Sequence, residues 1–192
     1  MKFTEARLEQ AIIELLENQG FPHTKGENLD CGPGDVLIEK DLREFLTKRY
    51  AKESISSEEI DGIIRKLKTV NTADLYEANK KINKMVSDGI ILKREDPGLK
   101  DVHVYLVEYR EREGAGSQLS IGNSQLAMVN RGKDGGRIDD DTNIYRVVSQ
   151  MEITGSERRI PDAILYVNGM PLVVFEFKSA IREDATIHDA YK

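Results

Sequence analysis

The chain has 192 residues, 39% of them hydrophobic, so it can bury one sizeable core within an ordinary single-domain length. Its net charge of −6, from 28 basic and 34 acidic residues, argues against tight DNA binding by this chain alone, because phosphate contacts depend on clustered Lys and Arg. There is no secretory h-region and no apolar run near the length of a membrane span. The single cysteine, Cys31, excludes an internal disulfide and favours a cytoplasmic protein.

The first predicted element is a helix that begins after Thr4 and ends before Gly20. Its acidic residues Glu5 and Glu9 lie four positions apart, at the edge of an apolar face. That face has helical spacing and consists of Leu8, Ala11, Ile12, Leu15 and Leu16. Either acid could face a cleft beside the core. Alternatively both are ordinary acids on the rim, with Glu5 favouring the helix N-terminus electrostatically.

Three more helices are predicted in succession, and together they read as a helical insertion over about residues 36–90. Two helix-start signals support them, Ser56-Ser57-Glu58-Glu59 and Asn71-Thr72-Ala73-Asp74. The helices are expected at Ile38 to Tyr50, Ser57 to Val70 and Thr72 to Val86.

Core strands and a terminal hairpin are expected over about residues 101–178. Strands are predicted at His103 to Tyr109 and Asn143 to Ile153. Between them, residues 114–141 are rich in Gly, Ser and Asp and predict loops around a short strand near Gln125 to Val129. A further helical pattern, residues 184–192, reaches the last residue without a closing signal.

The hairpin consists of two apolar strands joined at Asn168-Gly169. The first strand runs from Asp162 to Val167 and the second from Leu172 to Phe177. In both strands the two alternating sets of side chains are apolar, which predicts strands covered on both faces. Charged residues at the ends of such strands are expected to line a cleft.

Three charged side chains sit where these strands begin and end. Asp162 and Glu176 are suitable oxygen ligands for a hard divalent cation, and Lys178 projects from the same strand face as Glu176. The carbonyl of Phe177 is a further oxygen ligand. Phosphodiester hydrolysis needs a metal-activated water and neutralisation of phosphate charge, so this set predicts a metal-dependent nuclease site.

The register of the hairpin decides whether the two acids meet. A two-residue loop pairs Val167 with Met170 and, continued regularly, places Asp162 opposite Phe175, on the other face from Glu176. A three-residue loop of Asn168, Gly169 and Met170 instead places Asp162 opposite Glu176. The nuclease interpretation therefore predicts the three-residue loop.

These residues resemble a known family. The segment from Arg158 to Lys178 is similar to the PD-(D/E)xK nuclease segment of the restriction (R) subunit of type I restriction endonucleases. Its Asn168-Gly169-Met170-Pro171-Leu172-Val173 turn is more particular to that family than the three charged residues are. The opening helix and the region from Asn79 to Ile90 are similar more loosely. Ile160, between Arg159 and Pro161, departs from the family pattern.

The resemblance implies an α/β fold, a restriction-endonuclease-like mixed sheet flanked by helices, over residues 1–192. It implies an endodeoxyribonuclease with Asp162, Glu176 and the Phe177 carbonyl as Mg²⁺ ligands and Lys178 positioning the nucleophile. Glu9, rather than Glu5, would be the helix-one acid of the site. The implied partners are double-stranded DNA and the methylation and specificity subunits of a restriction-modification complex.

The resemblance also implies further domains. In this family the nuclease precedes ATP-dependent motor domains, and no Gly-x-x-x-x-Gly-Lys-Ser/Thr occurs here, so ATP would act only through domains outside this sequence. Members usually continue the last helix into a Gln-x-x-x-Tyr element. A fragment without that element is expected to cleave DNA weakly by itself.

Basic residues that could contact DNA form three small clusters. Arg158 and Arg159 precede the charged set and are best placed to meet a backbone phosphate. The clusters Arg65, Lys66, Lys68 and Lys80, Lys81, Lys84 are interpreted as solvated helix faces. Two other functions stay open: a non-catalytic docking module of the same complex, and a stand-alone repair or recombination nuclease.

Overall fold

The computed structural model describes residues 4–32, 34–70, 74–94, 96, 98–109, 143–154 and 157–178. In these residues the chain is mixed α/β, with four α-helices and a mixed sheet. The helices are α1 (Glu5–Asn18), α2 (Glu39–Arg49), α3 (Ser57–Lys68) and α4 (Leu75–Asp88). The strands are β1 (His23–Lys25), β2 (Ile90–Leu92), β3 (Val102–Val104), β4 (Tyr145–Ser149), β5 (Ile153–Thr154), β6 (Arg158–Arg159), β7 (Ala163–Val167) and β8 (Met170–Phe175).

The main sheet has the strand order β1-β4-β7-β8. Strand β1 runs parallel to β4, and β4, β7 and β8 are antiparallel to their neighbours. Two short ribbons, β2 with β3 and β5 with β6, complete the described strands. The short strand predicted near Gln125 to Val129, the loops of residues 114–141 and the helix of residues 184–192 lie outside the described residues.

The three helices predicted for the middle of the chain are confirmed as α2, α3 and α4. Helix α3 begins with a capping box, in which the Ser56 hydroxyl accepts from the Glu59 amide and the Glu59 carboxylate accepts from the Ser56 amide. Asp74 caps α4 by accepting from the amide of Tyr76 at 2.8 Å. None of the described helices has the length and apolar character needed to cross a membrane.

The first helix is confirmed, and its predicted apolar face is confirmed in part. Leu8, Ile12 and Leu16 are half-buried, but Ala11 is exposed and Leu15 is 48% exposed, and the buried residue of α1 is Ile13. The buried direction thus passes through Ile13 and the half-buried Glu9. Helical spacing identified an amphipathic helix but not which side of a broad apolar arc meets the sheet.

Two hydrophobic clusters form the core on the two faces of β7. The larger cluster joins α2, α3, β2 and β3 to the turn end of the hairpin through Val167 and Met170. The smaller cluster contains Val148, Ile164 and Tyr166, together with Ile38 and Met151. Side chains alternate along a strand, so β7 is covered on both faces as predicted. Burial raises the pKa of Tyr166, whose hydroxyl donates to Met151 Sδ at 2.9 Å.

Strand β8 differs from this prediction. It forms the edge of the sheet, and in the described part of the chain Leu172, Val173 and Val174 are 43%, 39% and 59% exposed. The apolar residues of β8 predicted a strand covered on both faces, but the described residues cover it only in part.

The turn between β7 and β8 packs deep in the structure. Asn168 is fully buried, and its side chain accepts from the Ile144 amide at 2.7 Å and donates to the Leu106 carbonyl at 2.9 Å. The carbonyl of Gly169 accepts from the Ile38 amide at 2.9 Å, where α2 begins. A Cβ atom at Gly169 would overlap the backbone carbonyl of Ile38, and the φ of Gly169 is +75°.

A second long-range contact ties α2 to the sheet. The carboxylate of Asp41, a buried residue, accepts two hydrogen bonds from the Arg146 guanidinium on β4, at 2.8 and 3.0 Å. This bidentate bond raises the pKa of Arg146. The positive charge of Arg146 thus compensates the negative charge of the buried Asp41.

We expect Gly169→Ala to lower the free energy of unfolding by at least about 2 kcal/mol, because the new methyl group meets the Ile38 backbone and the left-handed conformation is strained. Gly62→Ala is the matched control, since nothing lies within 4 Å of a Cβ there and the site is an exposed helical position. This control should be neutral or stabilising by up to about 1 kcal/mol. Urea unfolding measures both, and equal effects would contradict the packing described for the turn.

We expect Arg146→Leu to cost about 3–5 kcal/mol of unfolding free energy, because it leaves the buried Asp41 carboxylate unpaired. Arg43→Leu removes the same guanidinium from the more exposed pair with Asp61, whose side chains are 39% and 45% exposed. The control should cost less than about 1 kcal/mol. Thermal and urea unfolding compare them, and a small effect at Arg146 would refute its anchoring role.

Candidate functional site

The hairpin loop has two residues, so the predicted three-residue loop is wrong. Val167 pairs directly with Met170, and both loop residues have positive φ, +51° for Asn168 and +75° for Gly169. Two positive φ values are the signature of a type I′ turn, for which Asn-Gly is a preferred sequence.

A β-bulge supplies the shift that the loop does not. Tyr166 pairs with Pro171, whereas Leu165, the residue before Tyr166, pairs with Val173. Leu172 therefore has no partner in β7 and is the extra residue. Proline lacks the amide hydrogen of a regular ladder and occurs at edge strands and bulges. The position beside Pro171 on the edge strand therefore accommodates the bulge readily.

The bulge brings the two acids into line. Ala163 pairs with Phe175 at the end of the ladder, and Asp162 and Glu176 are the next residues outward, at positions that the bulge register, if continued, would place opposite each other. Residues that stand opposite each other on neighbouring strands share a face of the sheet. A two-residue turn and one extra residue in β8 thus shift the pairing by the same single residue as the predicted three-residue loop.

Asp162 is held at this open end of the hairpin. One of its carboxylate oxygens accepts from the amide of Phe177 at 2.6 Å, and the side chain is half-buried. Glu176 and Lys178 follow the end of β8 and are exposed. The ring of Phe177 stacks on that of Phe175 with centroids 6.1 Å apart, on the other side of the strand from Glu176.

The oxygen atoms at this end fit a hard divalent cation. The described residues contain no group of three or more His, Cys, Asp or Glu side chains able to hold a metal ion. Mg²⁺ does not need such a group, because it commonly binds through one or two carboxylates and keeps several waters. Asp162, Glu176 and the carbonyl of Phe177 have the chemistry of that smaller set.

Of the two candidate acids on α1, Glu5 and Glu9, Glu9 is the one bonded toward this end of the sheet. Its carboxylate accepts from the side-chain amide of Gln150 at 3.2 Å, and the backbone amide of Gln150 donates to the carbonyl of Asp162 at 3.2 Å. Glu5 is exposed in the first turn of the helix. A two-bond chain through Gln150 therefore connects Glu9 to Asp162.

The two arginines that precede the acids are exposed on β6. Arg158 pairs with Glu152 at 2.9 Å, and Arg159 pairs with Glu157 at 3.1 Å. Neighbouring residues of a strand point to opposite faces, so the two guanidinium groups project to different sides of the β5–β6 ribbon. Any contact of these arginines with phosphate would compete with the acids beside them.

The sequence carries no signal for the link through Gln150. This residue directly follows β4 and has a φ of +52°, inside a stretch predicted as one continuous strand from Asn143 to Ile153. Glutamine at this conformation has no local sequence signal, because the left-handed region ordinarily favours Gly, Asn or Asp. The turn is visible only when β4 is paired with β7.

Comparisons with known proteins agree with the resemblance. A family model described as "Type I restriction enzyme R protein N terminus" matches residues 2–192. The chain is also similar to the type I restriction enzyme HindI endonuclease subunit of Haemophilus influenzae, with 26% identity over 198 residues. That alignment covers 97% of this chain and 16% of the length of the relative. No solved structure gives a significant match to the chain.

Proposed function

Since this chain belongs to the family of type I restriction enzyme R protein N termini, we propose that it is the Mg²⁺-dependent DNA-cleaving domain of an R subunit. The observation that carries the proposal is the bulge in β8, because its register, continued by one residue, would bring Asp162 opposite Glu176 at the open end of the hairpin. A regular two-residue hairpin would separate these carboxylates onto opposite faces.

Each residue has a proposed role in phosphodiester cleavage. Asp162, Glu176 and the Phe177 carbonyl hold the cation, and the amide of Phe177 fixes the orientation of the Asp162 carboxylate. When bound, Mg²⁺ supplies the Lewis acidity that activates water and neutralises phosphate charge. Lys178 orients the attacking water or the phosphate, and Glu9 adds a further carboxylate beside the pair.

The proposed fold is the PD-(D/E)xK restriction-endonuclease-like fold over residues 1–192. It is supported by a mixed sheet that follows an opening helix and carries its acids where two antiparallel strands end. The helices of the insertion, about residues 36–90, share a core with the turn end of the hairpin. The acids lie at the opposite end, which leaves that end open to DNA.

We place the activity within a cytoplasmic restriction-modification complex. The net charge of −6 supports delivery of double-stranded DNA by other domains and by the methylation and specificity subunits. ATP would act through motor domains, because this sequence has no P-loop motif.

One observation favours a second candidate, a docking module of the same complex. Leu172, Val173 and Val174 are exposed on the edge strand, and an exposed apolar edge is suited to pairing with another polypeptide. The docking and cleavage functions make different predictions for substitutions at the acids. A stand-alone nuclease is the third possibility, and it would cleave DNA without ATP or other subunits.

We expect Asp162→Ala and Lys178→Ala, introduced into the R subunit of the assembled complex, each to reduce DNA cleavage by about 100-fold or more while ATP-driven translocation continues. Binding of Mg²⁺ alone should weaken in Asp162→Ala and persist in Lys178→Ala, because the lysine acts on the nucleophile. Cleavage, translocation and calorimetric metal titration are the three measurements.

Glu17→Ala is the control, since it removes an exposed acid from α1. Full cleavage by Asp162→Ala would refute the catalytic role. Loss of subunit association in that variant would instead support the docking module. Cleavage by the isolated wild-type chain with Mg²⁺ alone would support the stand-alone nuclease.

We expect Glu152→Gln and Glu157→Gln to strengthen nonspecific binding of a DNA duplex to the R subunit by up to about fivefold each, because an exposed ion pair that must open costs up to about 1 kcal/mol. Arg158→Ala and Arg159→Ala should weaken the binding and flatten its dependence on salt. Fluorescence anisotropy over a salt series measures both effects. Glu17→Gln makes the same change in net charge, and an equal gain in that control would show that the acids beside the arginines have no special effect.

A further inference from the structure

Gln150 adopts an unusual backbone conformation beside the proposed metal centre. Within the described part of the chain, positive φ occurs at three residues other than glycine: Ser54, Gln150 and Asn168. Asn168 belongs to the type I′ turn, and Ser54 lies in the loop between α2 and α3. Gln150 alone among them stands at the acidic end of the sheet. Strained backbone of this kind often accompanies function.

The backbone of Gln150 extends the row that contains the acids. Ser149 pairs with Ala163, and Ala163 pairs with Phe175, at the last level of the ladders. One level further out, the amide of Gln150 donates to the carbonyl of Asp162 at 3.2 Å. The bulge register, continued by one residue, would place Glu176 opposite Asp162 and complete a row across three neighbouring strands.

The segment around Gln150 is held from the other side by a glycine. A Cβ atom at Gly26 would lie 2.8 Å from the carbonyl oxygen of Gln150 and 2.5 Å from Cα of Met151. Only a residue without a side chain permits this approach. The backbone of Gln150 is thus fixed between the turn after β1 and the carbonyl of Asp162.

The side chain of Gln150 then reaches α1. Its amide nitrogen donates to the carboxylate of Glu9 at 3.2 Å. A neutral donor is suited to this place, because it gives the Glu9 carboxylate a hydrogen-bond partner. An acidic side chain in its place would repel that carboxylate.

We propose that Gln150 is a positioning residue of the metal centre, whose side-chain amide anchors the Glu9 carboxylate beside the row formed by Asp162 and Glu176. The inference rests on the proposed function, since it assumes that these acids bind a cation. Groups that orient metal ligands without touching the metal commonly change metal affinity by about 10- to 100-fold when removed.

Three substitutions at Gln150 distinguish the effect of its side chain from the effect of its backbone. Gln150→Gly tolerates the positive φ and keeps the backbone bond to Asp162 but lacks the amide. Gln150→Asn also tolerates this conformation but is one methylene too short to reach Glu9. Gln150→Glu keeps the length and replaces the donor with a repelling charge. We expect each variant, in the intact R subunit, to bind Mn²⁺ at least about 10-fold more weakly than wild type, with Gln150→Glu weakest.

The readout is metal binding by Mn²⁺ titration, with the thermal midpoint in EDTA recorded as a test of folding. Ser54→Gly is the matched control, because it relieves the same backbone strain away from the acids and should leave Mn²⁺ affinity unchanged. If Gln150 acts through Glu9, Gln150→Gly should add nothing to the loss caused by Glu9→Gln.

The outcomes distinguish the two proposals. Wild-type Mn²⁺ affinity in Gln150→Gly and Gln150→Asn, with binding lost in Asp162→Ala, would overturn the inference and leave the proposed function standing. Losses that add fully with Glu9→Gln would also overturn it. Absence of Mn²⁺ binding in wild type, or equal binding in Asp162→Ala, would overturn the proposed function and this inference together.

Discussion

The rest of the structure depends on the hydrogen bonds made by the buried side chain of Asn168. This side chain bonds to the segment after β3 through Leu106, to Asn143 and to Ile144 just before β4, while the next residue, Gly169, meets the start of α2 at Ile38. Three separate parts of the chain therefore converge on one turn. A fully bonded buried amide adds specificity here, because any other placement would leave its polar atoms without partners.

This turn sets the register of the hairpin up to the acidic end of the sheet. Once Val167 faces Met170, every later pair along the hairpin is determined, apart from the shift made by Leu172. A slip of one residue would move Glu176 to the opposite face and separate it from Asp162. In the proposed function, the hairpin joins a rigid buried end to an open end where the carboxylates meet a cation and DNA. Such a division suits a site that needs fixed ligands and an accessible substrate.

Particular elements show how far local pattern could be trusted. The capping box at Ser56 located the start of α3, because both of its hydrogen bonds join residues three apart. The type I′ turn agreed with the Asn-Gly sequence, yet its length was predicted wrongly. Loop length is one way to set the register of a hairpin, and a bulge within a strand, as in β8, is another. The buried side of α1, marked by Ile13 rather than Leu15, depended on a sheet assembled from the far end of the chain.

Residue type and spacing were enough to indicate an α/β chain, the middle helices, the hairpin and a candidate site at Asp162, Glu176 and Lys178. These features depend on contacts within a few positions along the chain. The folded chain added the bulge, the exposed edge of β8, the acids paired with the arginines and the link from Glu9 through Gln150, whose partners lie 141 residues apart. Contacts at that separation follow from how complete elements pack, and no local preference encodes them.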